Sequence, residues 1–340
     1  MTRQLRRLAL AALAAFLGST AAAPAATLGF DRFYVLGDSL TDVGNAHRAT
    51  LGQAPESPPY DRLRFSNGKV WYDHVAKAVR AEGGKARNFA YGGARAITNR
   101  DPIPDLRAQR RLLLDRIDPR RGDLGAIWIG GNDLLDSIGS SRVRSVGRKA
   151  ADEVYAVARR LQREGLQSAL IFNMPNFADI PRYAGANAER RRSARSGSLA
   201  YNARLATNIE RLRDRGLEVI EVDVFDLFAD VTANPGKYGI ENLTKPCIRN
   251  GRDRCSPAEA RVTAFADQIH PSAALHRILG RHVIDLISEH TTMASLLDDA
   301  RIRVDAAAPA PRAAAAVAAV PLPGPALLLL SARRRARAAS

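Results

Sequence analysis

The chain has few of the residues that build metal sites. Only two cysteines, Cys247 and Cys255, and six histidines occur among its 340 residues. A structural metal centre needs about four ligands close together, and no further cysteine or histidine lies near the cysteine pair. His47, His74, His276 and His282 are interpreted as packing or surface groups. No metal centre is predicted.

Lysine is also scarce. Six lysines and 45 arginines make up the 51 basic residues, and the formal net charge is +16. Such an arginine bias more often reflects genome composition than a binding surface. The densest basic patch, Arg190–Arg192 with Arg195, has no aromatic residues interleaved as base-stacking platforms. We therefore predict a solvated surface and no nucleic-acid partner.

Long hydrophobic runs are missing at both ends of the chain. At the N-terminus, three arginines precede the apolar run Leu8–Leu17, which is too short for a membrane span, and small residues follow to Ala26. This pattern predicts a cleaved signal peptide over residues 1–26. The mature protein is then expected to be secreted, periplasmic or on the cell surface. In such a compartment, the closely spaced Cys247 and Cys255 are expected to form a disulfide.

The C-terminal residues 301–340 differ in composition from the rest of the chain. An Ala/Pro-rich spacer leads to Val320-Pro321-Leu322-Pro323, a leucine run and terminal arginines. This order resembles C-terminal sorting signals of the PEP-CTERM type. The uninterrupted apolar stretch Ala326–Leu330 is far below the roughly 20 residues that a membrane span requires. Two interpretations stay open: a degenerate sorting signal that contacts a membrane surface, and a disordered tail.

Residues 28–300 carry the pattern of a single α/β domain. Short apolar runs alternate with longer amphipathic stretches, which is typical of a parallel sheet covered by helices. No linker divides this body, and its hydrophobic content suffices for a full core. The predicted strands are 33–36, 86–89, 126–129, 168–172 and 217–222, and the predicted helices are 70–80, 143–163, 199–215 and 273–290.

Two distant segments carry groups suited to nucleophilic catalysis. Ser39 follows the first predicted strand, and a seryl hydroxyl needs a base to become a good nucleophile. Far downstream, His270 provides an imidazole for that role. Asp267, three residues earlier, can reach the other ring nitrogen, fix the tautomer and stabilise the imidazolium.

Two further segments carry hydrogen-bond donors suited to an oxyanion. Gly93 follows the second predicted strand, where a glycine lets the backbone approach a substrate oxygen. Asn132 follows the third strand, and its amide is a neutral donor. Taken singly, each segment could be an ordinary turn, or a helix cap in the case of Asp267. All of them at strand ends point to ester hydrolysis at an oxyanion hole formed by Ser39, Gly93 and Asn132.

Four sequence blocks make the chain resemble a secreted GDSL-type esterase of the SGNH hydrolase superfamily. They are Phe33–Asn45, Asn88–Ala94, Trp128–Asp133 and Asp267–Ser272. The segment Arg64–Trp71 and the cysteine pair also resemble the lipase-like branch. One departure is Ala266, because many members of this branch have an aromatic residue at that position.

The resemblance implies a flavodoxin-like three-layer α/β/α sandwich with a five-stranded parallel sheet. It also implies hydrolysis of small-molecule or lipid esters through an acyl-enzyme on Ser39, without a cofactor. Phospholipase, acyltransferase and carbohydrate-deacetylase activities would use the same groups, so the natural substrate stays open. A different class of interpretation is a non-catalytic surface protein that retains the fold. The sequence predicts no oligomeric state.

Overall fold

The computed structural model describes residues 28–98 and 102–307. The predicted signal peptide lies outside these ranges, as does the part of the predicted tail beyond residue 307. The chain divides into two units after Leu296. The first unit contains the entire sheet, and of the second only the helical residues 297–307 are described.

Five parallel strands form the central sheet, in the order β2-β1-β3-β4-β5. This arrangement, with helices flanking the sheet, confirms the predicted α/β fold class. All five predicted strands are present. Their bounds are β1 Arg32–Gly37, β2 Lys85–Asn88, β3 Asp123–Trp128, β4 Ser168–Phe172 and β5 Glu218–Val222.

The central strands are apolar because helices cover the sheet on both faces, as parallel sheets require. Every residue of β3 and β4 is buried. At the end of the sheet where the strands terminate, the ring of Phe172 lies 4.6 Å from Trp71 and 5.2 Å from Trp128, between ring centroids. Trp71 Nε1 donates to Thr41 Oγ1, so this aromatic cluster contacts the turn that follows β1.

Ten α-helices are present within the described residues. Helix α5 packs against α7, and α3 packs against α5. In chain order the bounds are α1 Asn45–Ala49, α2 Trp71–Ala81, α3 Leu106–Leu114, α4 Gly131–Ser137, α5 Val143–Arg163, α6 Pro181–Ala184, α7 Ala188–Arg213, α8 Val224–Ala233, α9 Pro257–Val262 and α10 Ala273–Ala307.

Two predicted helix bounds were wrong. Helix α7 begins at Ala188 rather than Leu199, because the Asn187 side chain accepts a hydrogen bond from the Arg190 N–H and caps an earlier turn. The added turns are arginine-rich and largely exposed, so they have no apolar periodicity to reveal them. Helix α10 continues past residue 290 to Ala307. Among the described residues, no helix is both long and apolar enough for a membrane span.

A small hairpin precedes α9 and is closed by the predicted disulfide. Strands β6, Ile248–Arg249, and β7, Arg252–Asp253, pair in an antiparallel manner. Cys247 and Cys255 are bonded, with their Cα atoms 5.0 Å apart, which confirms the predicted pairing. Closing so short a loop stabilises the folded state by about 2–3 kcal/mol.

The alternative of a metal site at these cysteines does not fit the bonded sulfur atoms. In the described part of the chain, one group of three candidate ligands lies close together, and it consists of Cys247, Asp253 and Cys255. Both sulfur atoms of this group belong to the disulfide. A thiolate is the form that binds a metal ion, so the group is a structural crosslink.

Candidate active site

The predicted site residues emerge from one edge of the sheet. Strand β1 ends at Gly37, two residues before Ser39, and β3 ends at Trp128, just before the helix that carries Asn132. Gly93 follows the end of β2. Because parallel strands point the same way, their carboxyl ends share one edge, where ligands bind in open α/β sheets.

Ser39, His270 and Asp267 form a continuous hydrogen-bond chain. The Ser39 Oγ lies 2.8 Å from His270 Nε2, and His270 Nδ1 lies 2.6 Å from Asp267 Oδ2. An ionised carboxylate can only accept, so Nδ1 carries the ring proton and Nε2 accepts from the serine hydroxyl. All three side chains are buried. The geometry suits transfer of the serine proton to the imidazole.

The Asp267 carboxylate is held by hydrogen bonds to both oxygens. Its Oδ1 accepts from the backbone N–H groups of Ile269 and His270, at 2.8 and 2.7 Å. Its Oδ2 accepts from His270 Nδ1 and from the Tyr60 hydroxyl. Burial alone would raise the pKa of Asp267, but His270, Tyr60 and the backbone N–H of Ile269 outweigh it and lower the pKa to about 2. The carboxylate therefore stays ionised near neutral pH.

Gly93 is flanked by two residues whose backbones are held by side chains from other segments. The Asp42 carboxylate accepts from the Gly92 N–H at 2.8 Å, and Asn132 Nδ2 donates to the Ala94 carbonyl at 2.8 Å. Gly93 has φ +81°, which favours glycine, yet an added Cβ there would meet nothing within 4 Å. The position that sterically requires a glycine is Gly92, because a Cβ there would come within 2.0 Å of a Phe65 ring carbon.

Backbone donors are available beside the serine. Within the described residues, the N–H groups of Ser39 and Gly93 have no hydrogen-bond acceptor. The Asn132 amide uses one bond to Ala94, which leaves its second N–H for a ligand. Ser39, Asn132 and His270 line the same cavity, whereas Gly93 is not among its lining residues. Asn132 therefore lies at the same cavity as the serine, and its bond to Ala94 links it to the loop of Gly93.

Asp42 fixes the turn after β1 and was given no role from the sequence. Its Oδ1 accepts from the N–H groups of Gly44 and Asn45, and its Oδ2 accepts from Ala46 and Gly92. Burial raises the pKa of this carboxyl, and the four backbone N–H groups counteract that rise. One carboxylate therefore links the serine turn to the glycine loop after β2.

Two more buried carboxyl groups belong to the residues next to Ser39 and Asn132 in sequence. Asp38 accepts from the Leu40 N–H at 3.1 Å, and burial raises its pKa to about 7. Asp133 accepts from the N–H groups of Ala96 and Ile97, and burial raises its pKa to about 6. Both groups favour the protonated form more strongly when folded than when unfolded, because desolvation penalises the charge.

An apolar cavity opens from Ser39 and His270. The cavity is partly open to solvent. Asp38, Ser39, Asn132 and His270 contribute polar groups to its wall, and most of the remaining wall is apolar. The apolar side chains include Leu135, Phe177, Val224, Leu227, Phe228 and Phe265. A cavity of this composition accepts a hydrocarbon group rather than a polar one.

A second, more polar groove borders His270 and Asp267. Its walls include the exposed side chains of Glu56, Arg182 and Gln268. Tyr60 and part of the disulfide hairpin also line it. Ser39 does not line this groove. The imidazole therefore separates an apolar cavity from a polar groove.

The other histidines have packing or surface positions. His276 is fully buried, and its Nδ1 accepts from the Trp71 N–H at 3.3 Å. Burial lowers the pKa of His276 to about 3, so it stays neutral. His47, His74 and His282 are partly exposed, and within the described residues none belongs to a group of candidate metal ligands.

Tyr60 is a site residue that sequence reasoning missed. It lies 207 residues before its partner Asp267, and a tyrosine after a proline-rich segment carries no spacing signal of its own. The only hint was its position just upstream of the segment Arg64–Trp71, which resembles the lipase-like branch.

Comparison with known proteins identifies related sequences. The family model described as GDSL-like Lipase/Acylhydrolase matches residues 33–283. The phosphatidylcholine-sterol acyltransferase of Aeromonas hydrophila is 27% identical over 269 residues, covering 75% of this chain and 78% of the relative. The thermolabile hemolysin of Vibrio parahaemolyticus is 23% identical over 273 residues, covering 75% of this chain and 63% of the relative.

Solved structures with a related fold include the acetylxylan esterase Axe2 from Geobacillus stearothermophilus. Its chain is 16% identical to this one, with 77% of this chain and 96% of that chain covered and a TM-score of 0.45. At this distance the likeness carries no information about the substrate.

The raised pKa of Asp38 predicts a pH-dependent stability. The pKa of Asp38 is about 7 in the folded state, against an ordinary value of 3.8. Such a carboxyl stabilises the folded state to its full extent when the pH is below the ordinary pKa. That contribution is lost as pH rises toward the folded pKa. The unfolding temperature should therefore fall as the pH rises from about 4 to about 7. In the Asp38→Asn variant, the unfolding temperature should fall less steeply over the same range. Calorimetry of both proteins over this range checks the prediction, and parallel curves would refute it.

Proposed function

This chain belongs to the GDSL-like lipase/acylhydrolase family, and we propose that it hydrolyses carboxylic esters through an acyl-enzyme on Ser39. The hydrolase class follows from the family. The residue roles are inferred from one observation above all, the hydrogen-bond chain from Ser39 Oγ through His270 to Asp267. In this proposal His270 is the general base and acid, and Asp267 orients it.

In the acylation step, Ser39 Oγ attacks the ester carbonyl carbon while His270 Nε2 takes the hydroxyl proton. The carbonyl oxygen becomes an oxyanion, which accepts hydrogen bonds from the Ser39 and Gly93 N–H groups and from Asn132 Nδ2. Each such donor lowers the barrier by about 3 kcal/mol in known acyl-transfer sites. The tetrahedral intermediate then collapses, the bond to the alcohol oxygen breaks, and His270 returns the proton to the departing alcohol.

In the deacylation step, a water molecule takes the place of the alcohol. His270 Nε2 removes a proton from water as its oxygen attacks the acyl carbon, and the same donors hold the second oxyanion. Collapse releases the carboxylic acid and returns the proton to Ser39. Asp267 remains ionised throughout, in keeping with its lowered pKa.

The acyl group is proposed to occupy the apolar cavity beside Ser39. Support comes from the apolar wall formed by residues such as Phe228 and Phe265, because each buried methylene contributes about 0.8 kcal/mol. A longer acyl chain can contact more of these apolar side chains than an acetyl group can. The cavity therefore favours fatty acyl esters over the acetylated carbohydrates that remained open from the sequence.

An acyltransferase would share the acyl-enzyme and use an alcohol instead of water. The relative from Aeromonas hydrophila is named for such a transfer, so both acceptors belong in the assay. Measuring free fatty acid and transferred ester together, with an added alcohol, separates the two activities.

The chain is also proposed to act outside the cytoplasm. The N-terminal arginines and the run Leu8–Leu17 support export, and the Cys247–Cys255 bond suits an oxidising compartment. Mass spectrometry of the protein recovered outside the cytoplasm should show a mature N-terminus near Thr27 and the linked cysteines. A full-length chain with two free thiols would contradict the proposal.

Removal of the nucleophile or the base should abolish turnover. We expect Ser39→Ala and His270→Ala each to lower kcat for p-nitrophenyl esters by at least about a thousandfold, because no second group replaces either role. Steady-state kinetics with circular dichroism to verify folding is the measurement. As a matched control, His282→Ala removes a partly exposed histidine from α10 and should keep wild-type kinetics. Near-normal turnover in either site variant would rule out the mechanism.

Substrate length should follow the apolar cavity. The kcat/KM for p-nitrophenyl octanoate should exceed that for the acetate by at least about tenfold, since several methylenes become buried. Leu227→Trp should reduce octanoate turnover more than acetate turnover, because it fills part of the cavity. The control Leu199→Trp enlarges a side chain that is 43% exposed and does not line the cavity. A flat length profile in the wild type would contradict acyl binding there.

A further inference from the structure

A segment far upstream in sequence holds the loop that carries Asp267 and His270. The 60–67 segment, Tyr60–Asn67, contacts this loop at several points. Ser66 Oγ donates to the Pro271 carbonyl at 2.9 Å, and the Ala273 N–H donates to Asn67 Oδ1 at 2.8 Å. These bonds fix the loop on the side of His270 that leads into α10.

The same segment surrounds the His270 ring. The Phe65 ring centroid lies 5.5 Å from the His270 centroid, and Tyr60 approaches edge-on at 6.5 Å. Phe65 also packs against Gly92 so closely that no side chain fits there. The imidazole is thus restrained by aromatic contacts as well as by its two hydrogen bonds.

Among these contacts, the Tyr60 hydroxyl reaches the hydrogen-bond chain of Ser39, His270 and Asp267. It donates to Asp267 Oδ2, the oxygen that also accepts from His270 Nδ1. The other oxygen, Oδ1, is held by the N–H groups of Ile269 and His270. Tyr60 therefore completes the set of donors that defines the plane of the carboxylate.

We propose that Tyr60 is a positioning residue, whose hydroxyl orients the Asp267 carboxylate so that His270 presents Nε2 to Ser39. The inference rests on the proposed esterase function and adds a fourth side chain to the hydrogen-bond chain of Ser39, His270 and Asp267. Tyr60 does not line the cavity beside Ser39, so it acts through Asp267 and does not touch the reacting atoms.

The hydroxyl also controls how much negative charge Asp267 directs at His270. A carboxylate oxygen that accepts two hydrogen bonds shares its charge between both donors. Without the hydroxyl, more of this charge stabilises the imidazolium, and a higher pH is needed to free the base. The acid limb of kcat/KM should then move to higher pH when the hydroxyl is removed.

Other charged or titratable groups near the imidazole stay in place in such a variant. Asp38 lies beneath His270 and His276 lies on α10, and both interact with it electrostatically. Glu56 and Arg182 face His270 and Asp267 across the polar groove. Within the described residues, none of these four groups forms a hydrogen bond with the Tyr60 hydroxyl. A shift of the acid limb in the variant therefore reports on Tyr60 and Asp267.

The test is Tyr60→Phe, which keeps the ring and removes only the hydroxyl. We expect kcat to fall about tenfold, as for loss of a hydrogen bond to a charged group, with KM within about twofold of wild type. The acid limb should rise by about half a pH unit. The measurements are kcat and KM for a p-nitrophenyl ester across pH 4.5–9, with the unfolding temperature of each protein.

The matched control is Tyr238→Phe. The Tyr238 hydroxyl also donates to a carboxylate, Asp230, but lies outside both cavities at the site. This variant should keep the wild-type kcat and pH profile, which would show that loss of a tyrosine–carboxylate bond alone does not alter catalysis.

The outcomes separate this inference from the proposed function. An active wild type with an unchanged profile in Tyr60→Phe would overturn the role of Tyr60 and leave the esterase assignment intact. A lowered kcat without any shift of the acid limb, together with a lowered unfolding temperature, would assign Tyr60 a purely structural role and also overturn the inference. A wild type that hydrolyses no ester would overturn both.

Discussion

The hydrogen bond between His270 and Ser39 joins residues 231 positions apart, and the site depends on the forces that maintain it. The loop before α10 is fixed to the disulfide hairpin, because the N–H groups of Cys247 and Ile248 donate to the carbonyls of Phe265 and Ala266. On its other side the loop is held by the 60–67 segment. A loop restrained at both ends keeps the imidazole within hydrogen-bond reach of the serine without substrate.

Buried carboxylates organise the opposite half of the site. Asp42 accepts hydrogen bonds from four backbone N–H groups and thereby connects the turn of Ser39 to the loop of Gly93. A buried carboxylate is tolerated because several donors replace the lost water. The same desolvation acts on Asp38 and Asp133, whose raised pKa values reflect fewer or weaker compensating bonds.

The two spaces around His270 differ in chemical character. Apolar side chains surround the cavity at Ser39, whereas Glu56 and Arg182 border the groove at Asp267. Ala266, where an aromatic residue is common in the lipase-like branch, is fully buried, while the adjacent Phe265 packs edge-on against Phe228 in the cavity wall. An aromatic contact with this wall is therefore supplied one residue earlier.

Local sequence patterns were sufficient to predict all five strands, the disulfide and the residues of the hydrogen-bond chain, because each has a signal within a few residues. Strands β3 and β4 are largely apolar runs, and Asp267 and His270 share one short block. The first turns of helix α7 were not predicted, because they are exposed and depend on the Asn187 cap.

The contributions of Tyr60, Asp42 and Phe65 could be decided only by the tertiary structure. Each has a partner on a distant segment, such as Gly92 in the case of Asp42, and no local spacing encodes which groups will meet. The sequence by itself determined which groups could carry out the chemistry. The packing of the loops at the sheet edge decided which side chains hold those groups in place, because hydrogen bonds and contacts between distant segments form only when the chain folds.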